Sequence, residues 1–235
     1  MRIYISHVGA VSYLVPLVAA IARRQSLSVP LRLLGAYAAA ALAESLYMMY
    51  LGASGVRNLW VTHLFTPLEA TLFLWMFARW QLRESARMAL LICIPVYLAV
   101  WGILHLTVES VAHFPVYSKP VECMLLVGVG AYTLISRSQN LLTPVTRHSW
   151  FWASVGTVLY FSFVTVLNPI AHLLEGRNDL LIIAFEMNAT MGIFANLLFA
   201  WAMLCQNPPL PSSGGSSSPP PSSAVFSRPP SSPRC

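Results

Sequence analysis

Charge is scarce in this sequence. Asp, Glu, Lys and Arg together make up 9% of the 235 residues, where an ordinary soluble domain carries roughly a quarter. With 57% of residues hydrophobic, that scarcity excludes a water-soluble domain as the body of the chain and names the lipid bilayer as its surroundings. Cysteine is sparse too. Cys93, Cys123, Cys205 and Cys235 show no CxxC spacing, which excludes a disulfide framework or a zinc knuckle. Lysine is nearly missing: of 14 basic residues only Lys119 is not arginine, a usage that fits a GC-rich, hence bacterial, genome. No glycine loop for phosphate, kinase signature or nucleophile elbow is present. The formal charge of +6 is scattered between apolar runs rather than interleaved with aromatics, so it does not imply nucleic acid.

What the sequence does have is long apolar runs. A bilayer core is crossed by about 20 apolar residues in a helix, and hydropathy read against helix-breaking residues predicts seven spans, at 4–22, 31–52, 58–78, 88–107, 115–135, 150–172 and 180–205. The expected fold class is therefore all-α, a seven-transmembrane-helix bundle over 1–206. Basic residues alternate between the connecting loops. Arg23, Arg24, Arg32, Arg79, Arg83, Arg87, Arg137, Arg147, Arg228 and Arg234 fall on one side and Arg2, Arg57, Lys119 and Arg177 on the other. By the positive-inside rule this puts the N-terminus outside and the C-terminus in the cytoplasm. A competing reading of the first run is a signal peptide ending at Ala20–Ile21–Ala22, but the two arginines that follow suit a cytoplasmic loop better. Residues 207–235, rich in proline and serine, read as a disordered cytoplasmic tail, and Pro208–Pro211 within it fits a polyproline-reading partner.

Carboxylates inside these runs raise the question of function. Glu44, Glu69, Glu122 and Glu186 fall on the second, third, fifth and seventh predicted helices. A charge at bilayer depth costs at least ~2.5–3.5 kcal/mol on insertion scales, so such groups face the bundle interior and pair there. Counting residues at about 1.5 Å each places Glu69 near midplane and the other three toward the outer surface. His63, His105, Asn168, His172 and Lys119 share that half, and Asn196 is the main polar residue of the other. The expected ligand site is Glu44, His63, Glu69, Lys119, Glu122, Asn168, His172, Glu186 and Asn188, gathered in an acidic outer cavity. Carboxylates crowded round one lysine favour uptake of a proton, a cation or a small ligand, and Trp60, Trp75, Trp101 and the tyrosines offer cation–π walls. Tyr37 and Tyr47 share a helical face with Glu44. Lys119 and Glu122, three apart, can neutralise each other. Pro67 is expected to kink the third span beside Glu69.

No cofactor is required by this reading, although a metal ion is conceivable. His105 and Glu109 stand four apart at the outer end of the fourth span, with His63 and His172 at similar depth, and zinc takes three or four such ligands. Heptahelical zinc hydrolases of the adiponectin-receptor and alkaline-ceramidase type carry an HxxxH pattern late in the chain that is missing here. The seventh span has no lysine for a rhodopsin-type Schiff base.

The run NLWVTHLFTPLEATLFLWMF, with Asn58, His63, Thr66, Pro67 and Glu69 ahead of the basic loop Arg79–Arg87, resembles the third span of a broad set of uncharacterised bacterial heptahelical membrane proteins. That resemblance implies seven spans over 4–205 and a bacterial inner membrane; it implies no activity. The expected function is a receptor-like or sensory membrane protein, more plausibly not an enzyme, whose output passes to its cytoplasmic loops or to a protein partner. The alternatives are a membrane-embedded metal-dependent hydrolase, and a structural subunit or assembly factor of a membrane complex. A transporter would need a second half-pathway and inverted repeats, neither of which is evident.

Overall fold

The computed structural model describes residues 3–110, 115–139, 143–174 and 178–205. The tail beyond 205, with its proposed docking motif, lies outside them. The described residues are all helical apart from turns: α1 Ile3–Ser12, α2 Leu14–Ala22, α3 Val29–Ala53, α4 Leu59–Trp80, α5 Glu84–Thr107, α6 Ser118–Ser138, a 3-10 turn Val145–Arg147, α7 Ser149–Leu173 and α8 Asn178–Leu204. Six helices, α3 to α8, are long and apolar enough to cross a membrane, which marks an integral membrane protein. The first run is shorter. It is interrupted at Tyr13, close to Pro16, which has no N–H to return to the Ser12 carbonyl.

Local chemistry sets the ends of these helices. Pro30 sits in the first turn of α3, where its missing N–H is no loss. The same helix stops at Gly55, whose φ of 71° is the left-handed conformation that favours glycine. The amides of Gly55 and Val56 then turn back to the carbonyls of Gly52 and Leu51, the paired bonds that close a helix C-terminus on glycine. Asn58 Nδ2 donates to the Met48 carbonyl at 3.0 Å, so α4 returns directly beside α3.

The packing order makes a closed ring. The α1–α2 pair lies against α3 and α8, α3 against α4, α4 against α6, α6 against α7 and α7 against α8. Helix α5 stands outside this ring, packed on α4 and touching α6 only slightly; of its residues only Leu90 and Tyr97 are buried. Lipid is as apolar as leucine, so helices in a bilayer gain from close contact rather than from hiding oil. Small residues provide that contact: a Cβ on Gly35 would fall 3.0 Å from Ala20 Cβ, and one on Gly156 only 2.8 Å from the Phe199 ring. At the centre, Tyr37, Phe73, Phe161 and Phe199 meet as an aromatic cluster. Phe73 lies 4.6, 5.3 and 6.0 Å, ring to ring, from Tyr37, Phe161 and Phe199.

Candidate functional site

Glu69 and Phe73 are four residues apart on α4, so the aromatic cluster lies about 6 Å inward of Glu69. Above it sits a buried ion triad. Lys119 of α6 pairs with Glu69 across to α4 and, at 2.8 Å, with Glu122 one turn along its own helix. Glu69 is 3% and Glu122 0% exposed. The two carboxylates are not equivalent. Glu69 accepts a hydrogen bond from the ammonium, whereas Glu122 is held to it by the 2.8 Å ion pair. Lys119 also lies over the Phe161 ring, 5.8 Å from its centroid.

Tyrosines line the Glu69 side. Tyr37 is in side-chain polar contact with Glu69, and Tyr13, at the α1–α2 break, contacts Tyr37 and Tyr160. The break in the first apolar run thus delivers a phenol to the polar centre. Tyr37 was expected to serve Glu44; it turns to Glu69 instead, while Tyr47 packs edge-on against Trp60 with centroids 6.1 Å apart.

Toward the outer end, α6 begins deep in the bundle. Gln81 of α4 donates to Thr133 of α6 at 2.9 Å, and Glu69 with Lys119 keeps nearly the same offset, so the start of α6 stands level with the middle of α4. Its first turn is capped by Glu109. One carboxylate oxygen accepts from the amides of Tyr117 and Ser118, both at 2.7 Å, and the other from Ser118 Oγ at 2.6 Å. A carboxylate suits a helix N-terminus, where orphan amides and the positive end of the dipole converge. His63, 1% exposed, holds its Nδ1 3.9 Å from Glu109 Oε2, and its ring is 5.4 Å from that of His105, which stacks on Trp101.

This geometry changes the metal reading. Helix α5 ends at Thr107, so Glu109 is not on the helical face of His105, and its oxygens are engaged by α6. His172 is exposed on the last turn of α7. Among the described residues, no three His, Cys, Asp or Glu side chains are placed to hold a metal ion.

Of the nine expected ligand residues, Glu69, Lys119 and Glu122 converge and His63 lies just above them. Glu44, half-buried on α3, is within electrostatic range of Glu69 and Lys119 without an ion pair to either. Among the described residues, no hydrogen bond or ion pair joins Asn168, Glu186 or Asn188 to the triad. The polar stripe of α7 explains part of this divergence. Ser154, Thr157 and Phe161 are buried, but by Asn168 and His172 the same stripe has rotated outward. Trp60 and Trp75, 37% and 40% exposed, are not walls of the site. Tyr13, Tyr97 and Tyr160 belong to it and carried no charge to single them out in the sequence; for Tyr97 the four-residue steps to Trp101 and His105 were the available signal.

The inner end is held differently. Arg137 Nε donates to the Trp80 carbonyl at 2.6 Å and Gln81 Nε2 to that of Phe77 at 3.2 Å, closing the C-terminus of α4. Asn196 Nδ2 donates to Ser12 Oγ at 2.8 Å. Just outside the span, His148 shares a 2.9 Å hydrogen bond with Thr143; burial, and then Arg137, hold its imidazole below the usual histidine range. In comparisons with protein families, curated proteins and solved structures, no match to the chain was found.

Proposed function

We infer that this chain is a seven-span, receptor-like protein of a bacterial inner membrane, with its N-terminus outside, and that its Glu69–Lys119–Glu122 triad takes up a proton in the outer half of the bundle. Several features support the topology. Tyr13 in the polar centre and the Ser12–Asn196 bond tie the first apolar run into the ring, as expected of a span rather than a cleaved leader. The arginine-rich loops then fall on the cytoplasmic side. The bacterial assignment rests on the arginine usage and on the resemblance of the third span.

One observation carries the function: a wholly buried carboxylate, Glu122, shares a single ammonium with a second buried carboxylate. Two ionised carboxylates and one lysine leave an excess negative charge in a low-dielectric interior, where uncompensated charge is costly. A proton on Glu122 removes that excess and gives the group a hydrogen to donate. The cluster of Tyr37, Phe73, Phe161 and Phe199 packed beneath the triad supports sensing over transport. The test is infrared difference spectroscopy on protein in lipid nanodiscs. The C=O stretch of a protonated carboxyl should be present at neutral pH and lost in Glu122→Gln; its absence from the wild type would refute proton uptake.

A second reading has its own support. The triad and the Gln81–Thr133 pair link α4 to α6 in one register, as a purely structural fastening would. Under that reading Glu122→Gln weakens the fold, and under proton uptake it does not. The engagement of Glu109 in capping α6 counts against the metal-hydrolase alternative.

A further inference from the structure

The seam where α5 leans on α4 and α6 collects polar atoms that have no hydrogen-bond partner. On α5, Tyr97, Trp101 and His105 follow at four-residue steps and so share one face. The hydroxyl of Tyr97, the indole N–H of Trp101 and Nδ1 of His105 are all buried and all unpartnered. Across the seam, Glu122 has one oxygen on Lys119 and its Oε1 without a hydrogen-bond partner. Tyr97 is 4% exposed and Glu122 0%, while Trp101 and His105 are half-buried toward the end of α5, so the row runs from the interior toward the surface. A buried indole N–H or phenol left without a partner costs about 1–3 kcal/mol, and orphans of this kind in a native interior mark unseen water or ions.

Their depths order them into a file. His105 is level with His63, whose ring it approaches. Tyr97 is level with Glu122, the charged group that bears most strongly on it, and Trp101 stands between. Successive rungs rise by about 6 Å along α5, and the Trp101 and His105 rings stack with centroids 5.3 Å apart, so neighbouring polar edges come within the reach of one bridging water. The outermost rung adjoins His63, which in turn lies beside Glu109, the cap of α6.

We propose that the α4–α5–α6 seam holds a single file of water molecules, anchored on His105, Trp101, Tyr97 and Glu122, that joins the outer solution to the ion triad. This deepens the proton-uptake reading and rests on it for the file's purpose: Glu122 exchanges its proton with the outside through Tyr97. Around Glu122 stand Lys119 and Cys123 on its own helix, Glu69 on α4 and Tyr97 on α5, with Tyr37, Tyr13, Tyr160 and Glu44 grouped around Glu69. Of these, Tyr97 alone lies on the seam's α5 wall, which makes it the rung to break. Water here needs two to four polar partners per molecule, and the alternation of donor (Trp101), donor–acceptor (Tyr97) and acceptor (Glu122) supplies them.

The full chain in lipid nanodiscs, with 15N-labelled indoles, provides the test on transfer to D2O. The Trp101 signal, assigned by its loss in Trp101→Phe, should exchange its N–H within minutes and show magnetisation transfer from water, while the protonated-carboxyl band deuterates comparably fast. In Tyr97→Phe, Trp101 should exchange as before and carboxyl deuteration should slow at least tenfold. A Trp101 N–H protected for hours in the wild type overturns the water file. So does unchanged carboxyl deuteration in both Tyr97→Phe and Trp101→Phe with the fold intact. Fast Trp101 exchange with no protonated-carboxyl band keeps the file and removes the proton-uptake reading.

Discussion

Helices α4 and α6 are fastened twice, and the two fastenings obey different rules. At the inner end, Gln81–Thr133 and Arg137–Trp80 are single hydrogen bonds that satisfy groups a helix end leaves open. At the outer end, Lys119 holds two carboxylates and leaves one of them short of hydrogen bonds. A fastening meant only to hold helices has no use for an excess buried charge, since removing such charge is often neutral or stabilising. Under the proton-uptake reading, the contrast separates structure from function within one helix pair.

Substitutions can break or sharpen it. Lys119→Met should have the largest effect, because two buried carboxylates lose their only counter-charge; a loss of about 3–5 kcal/mol is expected, read as a lowered thermal unfolding midpoint in detergent. Arg137→Met leaves the Trp80 carbonyl open and should cost about 1–3 kcal/mol in the same assay. Thr133→Val removes one interhelical hydrogen bond and should cost about 0.6 kcal/mol, the average for such bonds in a membrane. A smaller effect comes from pH. His148 is held below its ordinary value, so as pH falls through about 6.5 the unfolded chain binds a proton that the folded chain resists. Its contribution is intact above that value and declines below it, and His148→Gln should flatten the slope of melting temperature against pH. Glu122→Gln should show no loss, or a gain, because it leaves Lys119 and Glu69 as a balanced pair. A loss as large as that of Lys119→Met would make the outer fastening structural as well.

The sequence made the long apolar runs plain, since a bilayer demands about 20 such residues together and little else resembles that. It could not show that α5 stands outside the ring: a lipid-facing and a protein-facing leucine look alike, and periodicity carries no contrast when both surroundings are apolar. The same physics made Glu69, Lys119 and Glu122 conspicuous, because charge in oil is rare. Their meeting depends on α6 starting level with the middle of α4, which follows from tertiary packing and not from local pattern. Glu109 was misjudged for a related reason. Four-residue spacing suggested a shared face with His105, but the helix ends first, and the carboxylate caps a helix that begins nine residues later in sequence. Glu186 and Asn188, equally polar on paper, ride a helix whose outer portion packs on α1 and never reaches the triad.

A ring that is complete without α5 can let that helix go. The packing of α5 is almost wholly on α4, with Tyr97 set beside Glu122, so a tilt of α5 on that one neighbour would be felt at the charged centre. If the triad takes up a proton as proposed, its change of charge and a change in the angle of α5 would be two faces of one event, felt at the Arg79–Arg87 loop at the foot of α5.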